Sequence, residues 1–329
     1  MTHVVFKNFA LTRRAILGAL ILVGSAAVLL AALYGFIGPH TAQAGYLAIM
    51  FLLSPSRALL PRWRAMAALW AVIVAMLGFT LGSLGTFPVL VALVGVCLVQ
   101  GLFRIGDISS MTRSPVNLVV FASLSHTDVQ FWQVLLGSSL GAAFMLAFAS
   151  LMPTKHDSLP TPSPVRERLG YGVMLAVGSL GIVAIGEAVD FPYVSWTLLS
   201  YCMILAVGVD NRTSRARDRV VGTAIGAVFA TLVSLLPGPI PILVALVCTL
   251  LCVAYILSGN YPMFVTLLTP VVLLTTSSDQ PAHLVGLGRI ESVAIAAVLA
   301  LVVNVIAHTI LHDRHARIVP RPQASSINP

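Results

Sequence analysis

From Ala15 to Ile37 the chain runs for 23 residues without a charged side chain, and further apolar runs recur along its whole length. About 20 consecutive apolar residues are what an α-helix needs to cross the hydrocarbon core of a bilayer. The chain is 58% hydrophobic and only 9% charged, with a mean hydropathy of +0.97, so it has too little polar surface to enclose a core in water. It reads as an all-α fold, a polytopic membrane helical bundle.

The Ala15–Ile37 run follows Arg13 and Arg14 and is itself followed by Ala42-Gln43-Ala44, as in a signal peptide. Its length exceeds the roughly 7–15 residues of a secretory apolar region, so a retained first helix is expected. Further apolar segments fall at about 44 to 53, 65 to 84, 87 to 103, 116 to 124 and 132 to 151. Residues 153–168, PTKHDSLPTPSPVRER, are rich in proline and charge and read as a cytosolic linker. Beyond it the same order of long and short segments returns at about 169 to 188, 194 to 209, 220 to 236, 240 to 257, 261 to 276 and 285 to 307.

An ungapped offset of 155 superimposes Arg13 on Arg168, Arg57 on Arg212, Arg62 on Arg217, Arg64 on Arg219 and Pro115 on Pro270. The expectation is therefore about 12 segments arranged as two parallel six-segment repeats, with membrane repeats at 1–152 and 169–311 and a cytosolic tail at 312–329. Lys and Arg are retained on the cytoplasmic face during insertion. Six crossings per half place both termini, the linker and every Lys and Arg except Arg289 inside.

The segments at 44 to 53 and 116 to 124 are too short to span, and the one at 261 to 276 holds Pro262 and Pro270. Irregular backbone at membrane depth is tolerated where it is buried or lines a wet cavity. Interrupted segments at matching positions in two halves point to a transporter's binding region, here beside 116 to 124 and 261 to 276.

Charges without a partner at the 155 offset mark what duplication leaves unexplained. Arg289, Glu291, Glu187 and Asp190 cluster at the outer end of the second half. Intramembrane ionisable groups often mark ion or substrate paths, with Arg289 attracting a carboxylate and Glu187 or Glu291 taking up a proton. The alternative is that all four are interfacial and solvated. Arg104 and Asp107 are also unduplicated, and stand either at a cytosolic gate or in a hydrated loop. Tyr193, Trp196 and Tyr261 either stack on an aromatic ligand or anchor helices at the interface. Arg219, Gly222 and Gly226 share a helix face with Thr223 adjacent, which suits a close packing seam.

Other chemistries are not supported. Cys97, Cys202, Cys248 and Cys252 all lie within apolar segments and read as inert buried thiols. His308, His312 and His315 have ligand-like spacing but close a basic terminal helix, which favours a solvated helix end. No P-loop or HExxH occurs, so neither an enzyme nor a cofactor or metal centre is expected. The net charge of +8 reflects loop topology, and no aromatic platform points to nucleic acid.

The pattern YVSWT, with Tyr193, Trp196 and Thr197, then RVVGTAIG from Arg219 to Gly226, and then Asn260-Tyr261, resembles the signature of the fusaric acid resistance protein-like family. The resemblance covers roughly Arg168 to Val303. It implies a secondary, proton-coupled exporter of small aromatic or amphipathic organic acids in the bacterial inner membrane. The alternatives are a passive organic-anion channel and a non-transporting membrane scaffold. It also implies a periplasmic adaptor protein as partner and adds Asn260 and Tyr261 to the site; membrane lipid and a homo-oligomer are the further partners expected.

Overall fold

The computed structural model describes residues 11–105, 108–109, 113–151, 163–276 and 281–318. In the first half the helices are α1 (Arg13–Phe36), α2 (Pro39–Leu52), α3 (Pro55–Ala58), α4 (Pro61–Gly82), α5 (Thr86–Leu102), α6 (Ser114–Leu124) and α7 (Phe131–Leu151). A small antiparallel pair, β1 (Arg104–Ile105) and β2 (Ile108–Ser109), lies between α5 and α6. The second half has α8 (Val165–Ala188), α9 (Val194–Leu205), a 3-10 turn at Val209–Asn211, α10 (Arg212–Ser234), α11 (Ile240–Ser258), α12 (Tyr261–Thr276) and α13 (Ala282–Ile318).

Local chemistry sets these boundaries. Thr12 caps α1, its hydroxyl accepting from the Ala15 N–H at 3.3 Å. Prolines open α2, α4, α6 and α11, at positions where the missing N–H would have had no helical partner. Gly38, at φ +135°, turns the chain between α1 and α2, and Gly259, at φ +84°, closes α11 in the left-handed region that glycine enters freely.

Long helices lie outside and short ones inside. Among the described residues α1, α4, α7, α8, α11 and the 283–306 stretch of α13 are long and apolar enough to cross a membrane. α1 turns Leu17, Ile21, Val28 and Phe36 outward, as a lipid-facing helix does. α6 and α9 have 11 and 12 residues, and most of them are buried. An 11-residue helix rises about 17 Å, roughly half the thickness of a hydrocarbon core. With spans of this kind the chain is a multi-pass membrane protein.

Each half repeats one set of neighbours. The second helix packs on the last (α2 on α7, α9 on α13), and the third long helix packs on the short one after next (α4 on α6, α10 on α12). Between halves, α5 packs on α8 and α11 on α1, so the first long helix of each half meets the same element of the other.

Three features depart from the sequence reading. The arginines at 212 to 219 stand in the opening turns of α10 and not in a loop, because arginine is a good helix former and Arg212, Arg215 and Arg219 have partners on neighbouring helices. α12 runs unbroken through Pro270. The contacts also follow a different register from the 155 offset. Arg64 Nε donates to Leu59 O at 2.8 Å and Nη1 to Ala149 O on α7 at 2.9 Å. Arg212 does the same, Nε donating to Val207 O and Nη1 to Asn304 on α13. A Cβ at Gly78 would stand 2.5 Å from Leu118 O and 3.0 Å from Phe121 Cβ, and one at Gly226 would stand 2.5 Å from Thr266 O and 2.8 Å from Thr269 Cβ. In its contacts Arg64 thus corresponds to Arg212 and Gly78 to Gly226. The arginine matches that pair Arg64 with Arg219 are displaced by about two helical turns.

Candidate functional site

The interior of α10 is one continuous stripe. Arg212, Ala216, Arg219, Gly222, Thr223, Gly226 and Ala230 are all buried on one face. Its glycines let α12 approach: a Cβ at Gly222 would be 3.0 Å from Thr266 Oγ1, and one at Gly226 would also meet Pro270. This contact sets the first residue of α12, Tyr261, beside the arginines. Asn260 fixes the start of that helix, its Oδ1 accepting from the Met263 N–H at 3.3 Å.

Tyr261 is held by two cations. Arg219 Nη1 donates to the Tyr261 hydroxyl at 2.9 Å, and the Arg215 guanidinium lies over the Tyr261 ring, 3.2 Å from its centroid. Arg219 is 1% exposed and its Nε has no partner. Asp218, ahead of the apolar span, pairs with Arg217 at 3.7 Å. Burial holds its carboxyl above the ordinary range, against the pull of Arg217 and Arg215.

α13 supplies Arg289. It is 2% exposed, its Nε and Nη1 lack partners, and its guanidinium carbon is 4.9 Å from the centroid of the Trp196 ring. Trp196 stacks on Tyr193 with centroids 4.9 Å apart, and Phe191 meets Tyr193 edge-on at 5.7 Å. The Tyr193 ring occupies the place where Gly288 lacks a side chain, which is how this aromatic layer sits so close to α13.

The first half supplies Arg113, immediately before α6. Its Nη1 donates to Met50 O at 3.0 Å and its Nε has no partner. Its electrostatic neighbours are Tyr46, Cys252, Arg219 and Tyr261, while Arg289 has Arg219 and Tyr261. The guanidiniums of Arg113, at the start of α6, and of Arg289, on α13, are thus each electrostatic neighbours of Arg219 on α10. Among the described residues no carboxylate pairs with them: Asp128, Glu167, Glu187, Asp190, Asp210 and Glu291 are all exposed, and Asp218, half-buried, pairs with Arg217. An unpaired interior charge costs several kcal/mol, so this grouping is one that an incoming anion would relieve.

Of the residues expected from sequence, Arg289, Trp196, Tyr261 and Arg219 come together here, with Asn260 as the cap beside them. Gly222, Thr223 and Gly226 form the α10–α12 contact. Glu187 and Glu291 are exposed and outside the cluster. Arg104 is elsewhere, its guanidinium 5.4 Å from the centroid of the Tyr171 ring at the α5–α8 junction. Asp107, most of the linker, the tail from 319 and the side chains of Arg57, His308, His312 and His315 lie outside the described residues. Sequence reasoning did not single out Arg113, Tyr46 or Arg215. Arg113 carried a signal, since Leu268 faces it at the 155 offset.

Two surface features lie away from the arginine cluster. A void of about 10 Å³ beside Arg64 is near the smallest that holds a water. An open groove of about 600 Å³ between α4 and α5 is lined by apolar side chains including Trp70, Leu77, Phe87 and Val91.

Residues 180–303 match the fusaric acid resistance protein-like family. The matched stretch is under half of the chain, contains Tyr193, Trp196, Arg219, Tyr261 and Arg289, and excludes Arg113 and Tyr46. No curated protein and no solved structure matches the chain. The family match points to membrane transport in the broad sense, and not to an enzyme.

Proposed function

We propose that the protein is a secondary exporter of small aromatic or amphipathic organic acids across the bacterial inner membrane. The observation that carries this reading is the row of buried, incompletely partnered guanidiniums of Arg113, Arg219 and Arg289, flanked by aromatic rings. A carboxylate seated there completes charge-assisted hydrogen bonds, and the substrate's ring lies against Trp196 or Tyr261. Retention of cations on the inner face supports a cytosolic position for the arginine-rich ends of α4 and α10, and for both termini. Substrate then enters past Arg215 and Tyr261 and leaves past Trp196 and Tyr193, as the halves rock on the α5–α8 and α1–α11 contacts. A periplasmic adaptor receives it, and further copies of the chain assemble beside it in the lipid.

Proton coupling runs through Glu187 or Glu291 in this scheme, at the rim and not at the bound anion. A second reading, a passive organic-anion channel, is favoured by one observation: no described carboxylate pairs with Arg113, Arg219 or Arg289, so an inside-negative potential alone would push anions outward. Proteoliposomes separate the two. An exporter accumulates benzoate against its gradient when a proton gradient is imposed, and a channel only equilibrates it. Arg289→Ala lowers efflux at normal membrane abundance; unchanged efflux in that variant removes the arginine row from the pathway and leaves the scaffold reading.

A further inference from the structure

The open groove of about 600 Å³ between α4 and α5 has one apolar length and one cationic end. Its walls run from Trp70 to Leu81 on α4 and from Phe87 to Val99 on α5. At the rise of an α-helix these walls are about 16 to 18 Å long, close to the ~15 Å of hydrocarbon in one leaflet. Phe87 and Val91 are exposed, so in a membrane-spanning chain the groove opens on lipid. Gly95 is part of the lining, and a Cβ there would meet no atom within 4 Å.

One helical turn past Val99, Phe103 meets Trp63 edge-on with centroids 6.5 Å apart. The exposed Arg62 places its guanidinium 5.7 Å from the centroid of the Trp63 ring. Arg168 of α8 reaches the same end of α5, its Nη1 donating to Leu102 O at 3.1 Å while its Nε has no partner. Among the described residues in the first turns of α4 and α8, Arg62, Arg166 and Arg168 outnumber one carboxylate, Glu167, and Arg64 is turned into the protein.

We propose that this face binds one anionic phospholipid. Its phosphate lies beside Arg62 and Arg168, where it satisfies the unmet Arg168 N–H, and one acyl chain fills the groove past Trp63 and Trp70. Trp63 then sits at the level where amphipathic rings settle in a bilayer. A second copy packed here about a two-fold axis along the membrane normal would bring its own Arg62 to the same level, so like charges would oppose. The site is independent of the exporter reading and of which leaflet the arginines meet.

The test is native mass spectrometry of the full chain in detergent, titrated with dioleoyl phosphatidylglycerol or dioleoyl phosphatidylcholine. The wild type retains one phosphatidylglycerol per chain, with affinity at least about tenfold above that for phosphatidylcholine. Arg62→Gln, at an exposed position that leaves the fold intact, lowers phosphatidylglycerol affinity about fivefold, and adding Arg168→Gln brings it to the level of phosphatidylcholine. Gly95→Leu fills the groove and lowers the affinity for both lipids. Equal retention of the two lipids by the wild type overturns the proposal, as does a headgroup preference that survives Arg62→Gln undiminished. Lipid binding unchanged by Gly95→Leu overturns it too, because the chain then lies outside the groove. A lipid-free dimer that Gly95→Leu converts to monomer assigns the groove to a second copy and likewise overturns it. Each of these results leaves the exporter reading standing.

Discussion

The two halves share a set of helix neighbours but differ in what they put at its centre. In each half one arginine near the start of the third long helix ties that helix to the carbonyl five residues back and to the last helix, as Arg64 and Arg212 do. In the register set by Gly78 and Gly226, Ala71 takes the place of Arg219 and Arg113 takes the place of Tyr261. Arg64 and Arg212 each place two donors on the protein's own acceptors, with Arg64 Nη2 left unmet, whereas Arg113 and Arg219 each place one and keep Nε unmet, and Arg289 keeps Nε and Nη1 unmet. Buried arginines in one bundle thus differ in degree, Arg64 and Arg212 meeting two protein acceptors each and Arg113 and Arg219 one each.

Testing this difference sharpens the comparison. The largest effect is expected for Arg219→Gln, which lowers substrate affinity by about 30-fold or more while the protein reaches the membrane at normal levels. Binding to purified protein together with an abundance blot checks it. Arg64→Leu and Arg212→Leu leave carbonyl partners without donors and destabilise the fold by about 1–3 kcal/mol each, without altering anion affinity. Thermal unfolding in nanodiscs reads the first part and binding the second. Gly78→Ala and Gly226→Ala press a methyl group onto the α6 and α12 backbones and cost about 1–3 kcal/mol each. Similar losses from the pair are what equivalent contacts require, and a loss confined to one half would break the correspondence. Trp196→Leu weakens binding of an aromatic acid by about threefold to tenfold, through loss of the ring beside Arg289. Glu187→Gln and Glu291→Gln leave binding within about twofold, because both groups are exposed, although either substitution lowers proton-driven efflux if it carries the coupling proton.

Most of the helices were legible because an uncharged run of membrane length has few other solutions. The start of α10 was not, since the preference of Arg for cytosolic loops masks a second periodicity. Arg212, Ala216 and Arg219 continue the same stripe as Gly222, Gly226 and Ala230. The register of the repeat was hidden for a related reason. Arginines at matching sequence spacing fell in corresponding regions, but the positions that touch equivalent partners are set by where glycine lets two helices meet. Arg289 could be flagged as an unmatched charge, but its burial could not, because the Tyr193 and Trp196 rings packed beside it come from the start of α9. Arg113 was visible by the same test of unmatched charge, yet its neighbours Tyr46, Cys252 and Arg219 come from three other helices and no sequence pattern joins them.

The central claim is that the row of Arg113, Arg219 and Arg289 holds the transported anion. Structure determination of the protein with 4-iodobenzoate, locating the iodine by its scattering, tests it most directly. The account predicts one ligand with its carboxylate between two of these guanidiniums and its ring against Trp196 or Tyr261. A ligand seated elsewhere, with the three arginines paired to the protein's own carboxylates, would contradict it.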